Sequence, residues 1–253
     1  MLNKVPQVLL LFWVVKIFAT TVGETAADFL AGNVGLGLGG TSAIMAALLA
    51  GVLVVQFRTR RYVPAVYWLV VVLVSVVGTL VSDNLVDNLG VSLWTTTGIF
   101  GLGLTATFIA WWRVEHSLSI HTIVTGRREA FYWLAILCTF ALGTSAGDLV
   151  SEKLDLGYLT AAVIFGALIA LVAVAHLRGG LDAVLAFWTA YVLTRPFGAS
   201  IGDLLTTDKS TGGLGLGTNG TSAIFLVVIV AAVARFTVQD RREQAGTLQH
   251  SAA

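Results

Sequence analysis

The sequence predicts an all-α polytopic membrane protein: eight transmembrane helices in four parallel two-helix repeats, with both termini cytoplasmic. Three observations predict it. The chain is overwhelmingly apolar, its basic residues fall to one side of eight apolar runs, and a single motif recurs four times.

Of 253 residues, 57% are hydrophobic and only 11% are charged, against roughly 25% charged in a soluble domain. So few charges cannot cover a water-facing surface, which places the chain in a bilayer. A net charge of +1 argues against a nucleic-acid partner. The single cysteine, Cys138, allows no intrachain disulfide and no thiolate metal site, and reads as a small buried core residue.

A spanning helix needs about 20 mainly apolar residues. Eight such runs are expected, over 6–30, 40–57, 64–87, 93–112, 130–151, 157–177, 184–206 and 219–236. The N-terminal stretch could pass for a secretory signal, but Lys16 interrupts it and it belongs to the repeat, so it is expected to stay as a permanent helix. Residues 1–237 form one membrane domain, and the polar segment 238–253 is expected to be a mobile cytoplasmic tail.

Lys4, Arg58, Arg60, Arg61, Arg113, Arg127, Arg128, Arg178, Arg235, Arg241 and Arg242 fall on one side, and Lys153 and Lys209 on the other. By the positive-inside rule the first side, with both termini, is cytoplasmic. Lys16 and Arg195 lie within spans.

The segments beginning at Phe12, Tyr67, Tyr132 and Phe187 align without a gap. Each carries a tryptophan (Trp13, Trp68, Trp133, Trp188), a glycine ten residues later (Gly23, Gly78, Gly143, Gly198) and an aspartate five further on (Asp28, Asp83, Asp148, Asp203). The second helices of the outer repeats share a start, GGTSAI at Gly39–Ile44 and NGTSAI at Asn219–Ile224. The repeats fall at about 5–62, 63–127, 128–182 and 183–237. This pattern resembles the bacterial membrane-protein family built from four tandem copies of a repeat of unknown function, each with two membrane helices and a tryptophan. The resemblance implies an eight-helix integral protein of the bacterial inner membrane and brings no activity with it.

With two helices per repeat, the four motif helices run in one direction and their aspartates share a depth near the extracellular end. Arg61 to Asp83 spans 22 residues, about 33 Å of helix, so a plain interfacial aspartate is the competing reading. A carboxylate at a helix C-terminus meets the negative end of the dipole, which calls for compensation by a cation, a base or buried donors. Lys16, Thr20, Glu24 and Asp28 are spaced by four and form one polar stripe. For Lys16 the alternative is snorkelling toward the cytoplasm; for Arg195 it is a structural ion pair with an acidic neighbour. Arg195 precedes Pro196, which is expected to loosen that helix.

Ionised, Glu24, Asp28, Asp83, Asp148 and Asp203 outweigh Lys16 and Arg195, and protons or metal cations would restore the balance. These five carboxylates are the candidate cation- or proton-binding residues, and Lys16 and Arg195 the fixed counter-charges. Thr20, Thr21, Thr25, Thr79, Ser82, Thr144, Ser145, Ser200 and Asn84 offer further oxygens. His116, His121, His176 and His250 lie on the cytoplasmic side or in the tail. Hard oxygen ligands suit magnesium, calcium or manganese better than zinc or copper, with manganese preferred. Carboxylates converging within about 10 Å would allow shared ligation, and wide separation at the lipid rim would end that reading.

Other features read more plainly. Asp87, Glu152 and Asp208 are taken as solvated loop charges, with an outer cation-attracting rim as the alternative. The links GNVGLGLGG and TGGLGLGTNG lack the lysine and strand of a phosphate loop and read as turns or gates. The motif tryptophans, with Trp111 and Trp112, are expected as interfacial anchors, with packing against the neighbouring repeat as the alternative for the motif tryptophans.

The expected function is transport of a small, divalent cation, manganese or magnesium, coupled to protons. Lipid and a small cation are the partners, no cofactor is called for, and self-association is compatible with the sequence. A non-transporting sensor or scaffold held by a carboxylate–base lock is the alternative. An intramembrane enzyme is disfavoured because no nucleophile, metal-protease motif or cofactor signature is present.

Overall fold

The computed structural model describes residues 3–33 and 36–251, with side chains described as far as Val238. The described chain is all-helical, with eight long helices: α1 Leu10–Asn33, α2 Gly37–Arg58, α3 Pro64–Asp83, α4 Leu93–Glu115, α5 Gly126–Asp148, α6 Gly157–Gly179, α7 Ala183–Thr206 and α8 Thr218–Ser251. A π-helical turn extends α3 over Asn84–Asn88 and α5 over Leu149–Lys153.

The helix starts reflect local chemistry. The Ser92 hydroxyl accepts from the Thr95 N–H at 3.2 Å, Thr125 caps α5 through the Arg128 N–H, and Asp182 accepts from Val184 and Leu185 at 3.0 Å each. Pro64 opens α3, where its missing N–H costs nothing.

Helices α1, α3, α5 and α7 pack in sequence, and α7 closes back on α1, so the four motif helices form a ring. The others lie outside and are offset by one repeat. Helix α2 packs mainly on α3, α4 on α5, α6 on α7, and α8 returns to α1. Of the most apolar 18-residue stretch of α3, 72% is buried, against 11% in α2 and in α8. The outer helices present Leu102, Leu159, Leu171 and Val227 outward, a belt that suits acyl chains and not water.

Seven of the eight helices are long and apolar enough to cross a membrane. The exception is α7, which has 24 residues, as many as α1. Its hydropathy is diluted by Arg195, Pro196, Asp203 and a run of small and hydroxylated residues, the same side chains that equip the interior of the ring. Helix α7 is continuous through Pro196, so the expected loosening is not a break.

Three expectations change. First, the backbone of α8 runs unbroken to Ser251, so the segment from 238, expected as a tail, continues the helix. Second, Trp68, Trp133 and Trp188 are buried, as is Trp111, and Trp13 is half-buried; of the tryptophans expected as anchors, Trp112 alone is exposed. Trp68 stacks on Phe236, Trp188 meets Phe108 edge-on, and Trp111 stacks on Phe131. Trp68 and Trp188 thus pack the basic half of the ring against the outer helices, while Trp13 and Trp133 pack against aromatic residues of the ring itself. Third, Lys4 is not a free topology-setting charge. It is buried, and its ammonium donates to the Phe57 carbonyl at 3.1 Å and to Glu129 at 2.6 Å, while Gln56 donates to the other Glu129 oxygen at 2.9 Å. The Lys4 N–H bonds the Ile123 carbonyl and the Asn3 carbonyl accepts from Tyr62, so the N-terminal segment is strapped across the basic end of the ring.

Candidate functional site

The motif glycines bring the ring helices together. A Cβ on Gly23 would collide with Ser75, on Gly78 with Phe140, on Gly143 with Arg195 and Pro196, and on Gly198 with Thr20. Each obstacle lies seven residues after the motif tryptophan of the next ring helix, and the fourth returns to the first. The glycine column is therefore the set of points where neighbouring helices cross, which only a missing Cβ permits.

Around these crossings, residues four apart build layers. Phe12, Tyr67, Tyr132 and Phe187 form the layer nearest the basic end, all buried, with the Tyr67 and Tyr132 hydroxyls 2.5 Å apart. One turn further lie Lys16, Val71, Ile136 and Tyr191, then Thr20, Ser75, Phe140 and Arg195, then Glu24, Thr79, Thr144 and Ala199. The four aspartates form the next layer.

The Arg195 guanidinium reaches across to the layer of Glu24. Its Nη2 donates to Glu24, to Thr79 and, at 2.7 Å, to Thr144, so this one side chain ties α7 to α1, α3 and α5. Its Nε and Nη1 have no hydrogen-bond partner. The Thr79 hydroxyl also approaches Glu24 Oε2 at 3.0 Å. Lys16 is fully buried and does not snorkel. Its ammonium donates to the Tyr191 carbonyl at 2.9 Å and to the Thr194 hydroxyl, 4.4 Å from the centre of the Tyr191 ring and 5.2 Å from that of Phe140. Among the described residues Lys16 makes no ion pair.

On the other side of Arg195 a cavity of about 530 Å³ opens. Glu24, Asp28, Asp83, Asp148 and Asp203 line it, so all five sequence-predicted carboxylates converge. Glu24 is buried at its base, Asp83, Asp148 and Asp203 are half-buried, and Asp28 is exposed toward the mouth. Carboxylate oxygens of Glu24, Asp148 and Asp203 lie within 4.8 Å of one another; Asp28 and Asp83 line the same cavity outside that triad. Arg195 and Thr79 both reach Glu24 through Oε2.

The cavity also takes Asp87 and Glu152, read from sequence as loop charges, together with Tyr158, Thr206 and Thr207; Asp208 is not in its lining. Asp87 and Glu152 both stand four residues beyond their motif aspartates, on the π-helical turns, level with Gly32 and Thr207 of the outer repeats. Seven carboxyl groups therefore face a cavity whose lining contains no lysine or arginine. Most of the other predicted oxygens serve the backbone instead. Thr20 bonds the Lys16 carbonyl, Thr21 those of Ile17 and Gly198, Thr25 that of Thr21, and Ser145 that of Ala141, while Asn84 donates to Ser42. The Ser82 and Ser200 hydroxyls are buried without partners. The second glycine-rich link folds back on α7, with Leu214 and Leu216 donating to the Leu204 and Leu205 carbonyls at 2.7 and 2.9 Å, and so caps the helix that carries Asp203.

Comparison with known proteins adds the family. The model of the Repeat of Unknown Function (DUF347) matches residues 11–62, 66–117, 131–180 and 186–242, each match holding one ring helix and one outer helix. No curated protein and no solved structure matches the chain. Four matches spanning most of the sequence, each on one motif helix and the helix that follows it, settle where it belongs: the chain is a member of the DUF347 repeat family.

Proposed function

We propose that the protein is a multi-pass transporter of a small divalent cation, manganese or magnesium, in the bacterial inner membrane. Its termini lie in the cytoplasm and its acidic cavity faces outward. The observation that carries the reading is the triad of Glu24, Asp148 and Asp203 at the base of the cavity. Ligand oxygens lie about 2.0–2.1 Å from magnesium and about 2.3–2.6 Å from the larger calcium. The 4.8 Å that bounds this group accommodates two oxygens on opposite sides of one ion. Half of that bound is about 2.4 Å, a calcium-like distance, so a smaller ion such as manganese or magnesium draws the carboxylates closer together.

Asp28, Asp83, Asp87 and Glu152 raise the local cation concentration above the triad. Glu24 is shared: Oε2 is held by Arg195, while Oε1 is left to the cation. Arg195 thus competes for a ligand of the cargo, and the aromatic layers and the Lys4 strap close the path toward the cytoplasm.

The test is manganese flux in liposomes. Asp148→Asn should reduce uptake at least tenfold while the purified variant melts as the parent does. Unchanged flux in that variant would remove the motif from the mechanism. The second reading, a non-transporting scaffold, draws on Arg195 binding all four ring helices together. It expects no flux from the parent protein and a large loss of stability from Glu24→Gln.

A further inference from the structure

Lys16 is not used by the cation site, and its surroundings are unusual for a charge. It is fully buried, with a carbonyl, a hydroxyl and two ring faces around its ammonium and no carboxylate in ion-pair reach. The Phe140 ring it approaches at 5.2 Å is also approached by the Arg195 guanidinium at 5.5 Å. Two cations therefore share one ring, and only one of them, Arg195, has an acid to balance it.

Each neighbouring helix turns a defined set of groups toward Lys16. Helix α7 supplies Tyr191, Thr194 and Arg195; α5 supplies Phe140, with Tyr132 one layer toward the basic end; α3 supplies Tyr67 in that same layer. On α1 itself the nearest acid in sequence is Glu24, two turns on and held by Arg195. Helices α2 and α8, which also pack on α1, carry no titratable residue before Arg58 and Arg235. The Tyr191 hydroxyl is buried without a partner.

We infer that Lys16 is the proton-carrying residue of the cation site: charged when the Glu24–Asp148–Asp203 triad holds no metal ion, and neutral when a divalent cation sits there. The inference rests on the proposed cation site. A guanidinium does not release its proton, whereas an ammonium can. A divalent cation on Glu24 Oε1 withdraws negative charge from the oxygen that Arg195 holds, and the guanidinium charge then falls more fully on the ring shared with Lys16. The ammonium relieves the repulsion by losing a proton to solvent, leaving an amine that still donates to the Tyr191 carbonyl and accepts from Thr194. Linkage makes the effect mutual, so reprotonating Lys16 expels the cation.

The experiment is calorimetric titration of the purified full-length protein with Mn²⁺, in buffers of different ionisation heat, which counts the protons released per ion bound. Wild type should release about one proton more than either Lys16→Arg or Lys16→Met. Lys16→Met should bind Mn²⁺ more tightly than Lys16→Arg by about 5- to 150-fold, the usual range of a coupling between sites. Equal proton counts in all three proteins would overturn the inference and leave the cation site standing. If both variants fail to bind Mn²⁺ while wild type binds it, Lys16 is a structural residue and the inference is wrong. If wild type itself does not bind Mn²⁺, the cation reading fails first and takes this inference with it.

Discussion

At Gly143 a single missing Cβ decides whether Arg195 can lie across the ring. A methyl group there would meet the Cβ and Cγ of Arg195 and the Pro196 ring, and neither has slack, since Arg195 is anchored at its far end by Glu24, Thr79 and Thr144. Gly143→Ala should cost about 1–3 kcal/mol, the usual penalty of overpacking, seen as a lower melting temperature in detergent. Gly51→Ala and Gly103→Ala are the controls. Both glycines are helical, and nothing lies within 4 Å of an added Cβ, so the melting temperature should hold or rise slightly, because alanine favours a helix over glycine. The acids differ in the same way. Neutralising Asp148 leaves the anchors of Arg195 in place, whereas Glu24 is itself one of those anchors as well as a proposed ligand.

Among the elements, the ring helices were legible in the sequence because a duplicated motif carries its own alignment. Tryptophan, glycine and aspartate at fixed spacing show which faces match, and four parallel helices with matched faces bring their aspartates together. Less legible was anything that depends on phase beyond the motif. A π-helical turn after Asp83 and after Asp148 resets the register of the residues downstream, and composition does not announce it, so Asp87 and Glu152 passed for loop charges. Nor could hydropathy find the right use for tryptophan, because an indole near a helix end scores the same whether it faces headgroups or Phe236. The N-terminal segment misled for a similar reason. Lys4 looks like any topology charge until folding places Glu129, 125 residues away in sequence, against it. Glu129→Gln leaves the Lys4 ammonium buried without its counter-charge, and removing one partner of a buried pair costs about 3–5 kcal/mol. Thermal unfolding should report the loss, and trypsin should cut after Lys4 faster than in the parent. A melting temperature within a degree or two of wild type would mean that the strap is not held by this pair.

For the whole molecule, the offset between ring and outer helices matters more than the count of eight. Because α2 covers α3 and not chiefly α1, no repeat is packed as a unit by itself. Each supplies a ring helix to the helix before it and a cover to the ring helix after it. Closure of α7 and α8 onto α1 is then the step that leaves no repeat unpaired, and it involves the two repeats that break the pattern with Lys16, Glu24 and Arg195. Duplication provides a ring of carboxylates, and divergence at the seam provides the bases that answer them. A ring of this kind has no obligatory first repeat. A circular permutant opened in the short link at Gly180–Asp182, with the old ends joined by a flexible linker, retains every pair of packed helices. It should purify as a monodisperse protein and melt within a few degrees of the parent. Deleting residues 183–253 instead removes both partners that α1 meets at the seam, together with Arg195 and Asp203, and that protein should aggregate. If the permutant fails while the deletion folds, the stability of the molecule lies within repeats and not between them, and the ring is an assembly of independent hairpins.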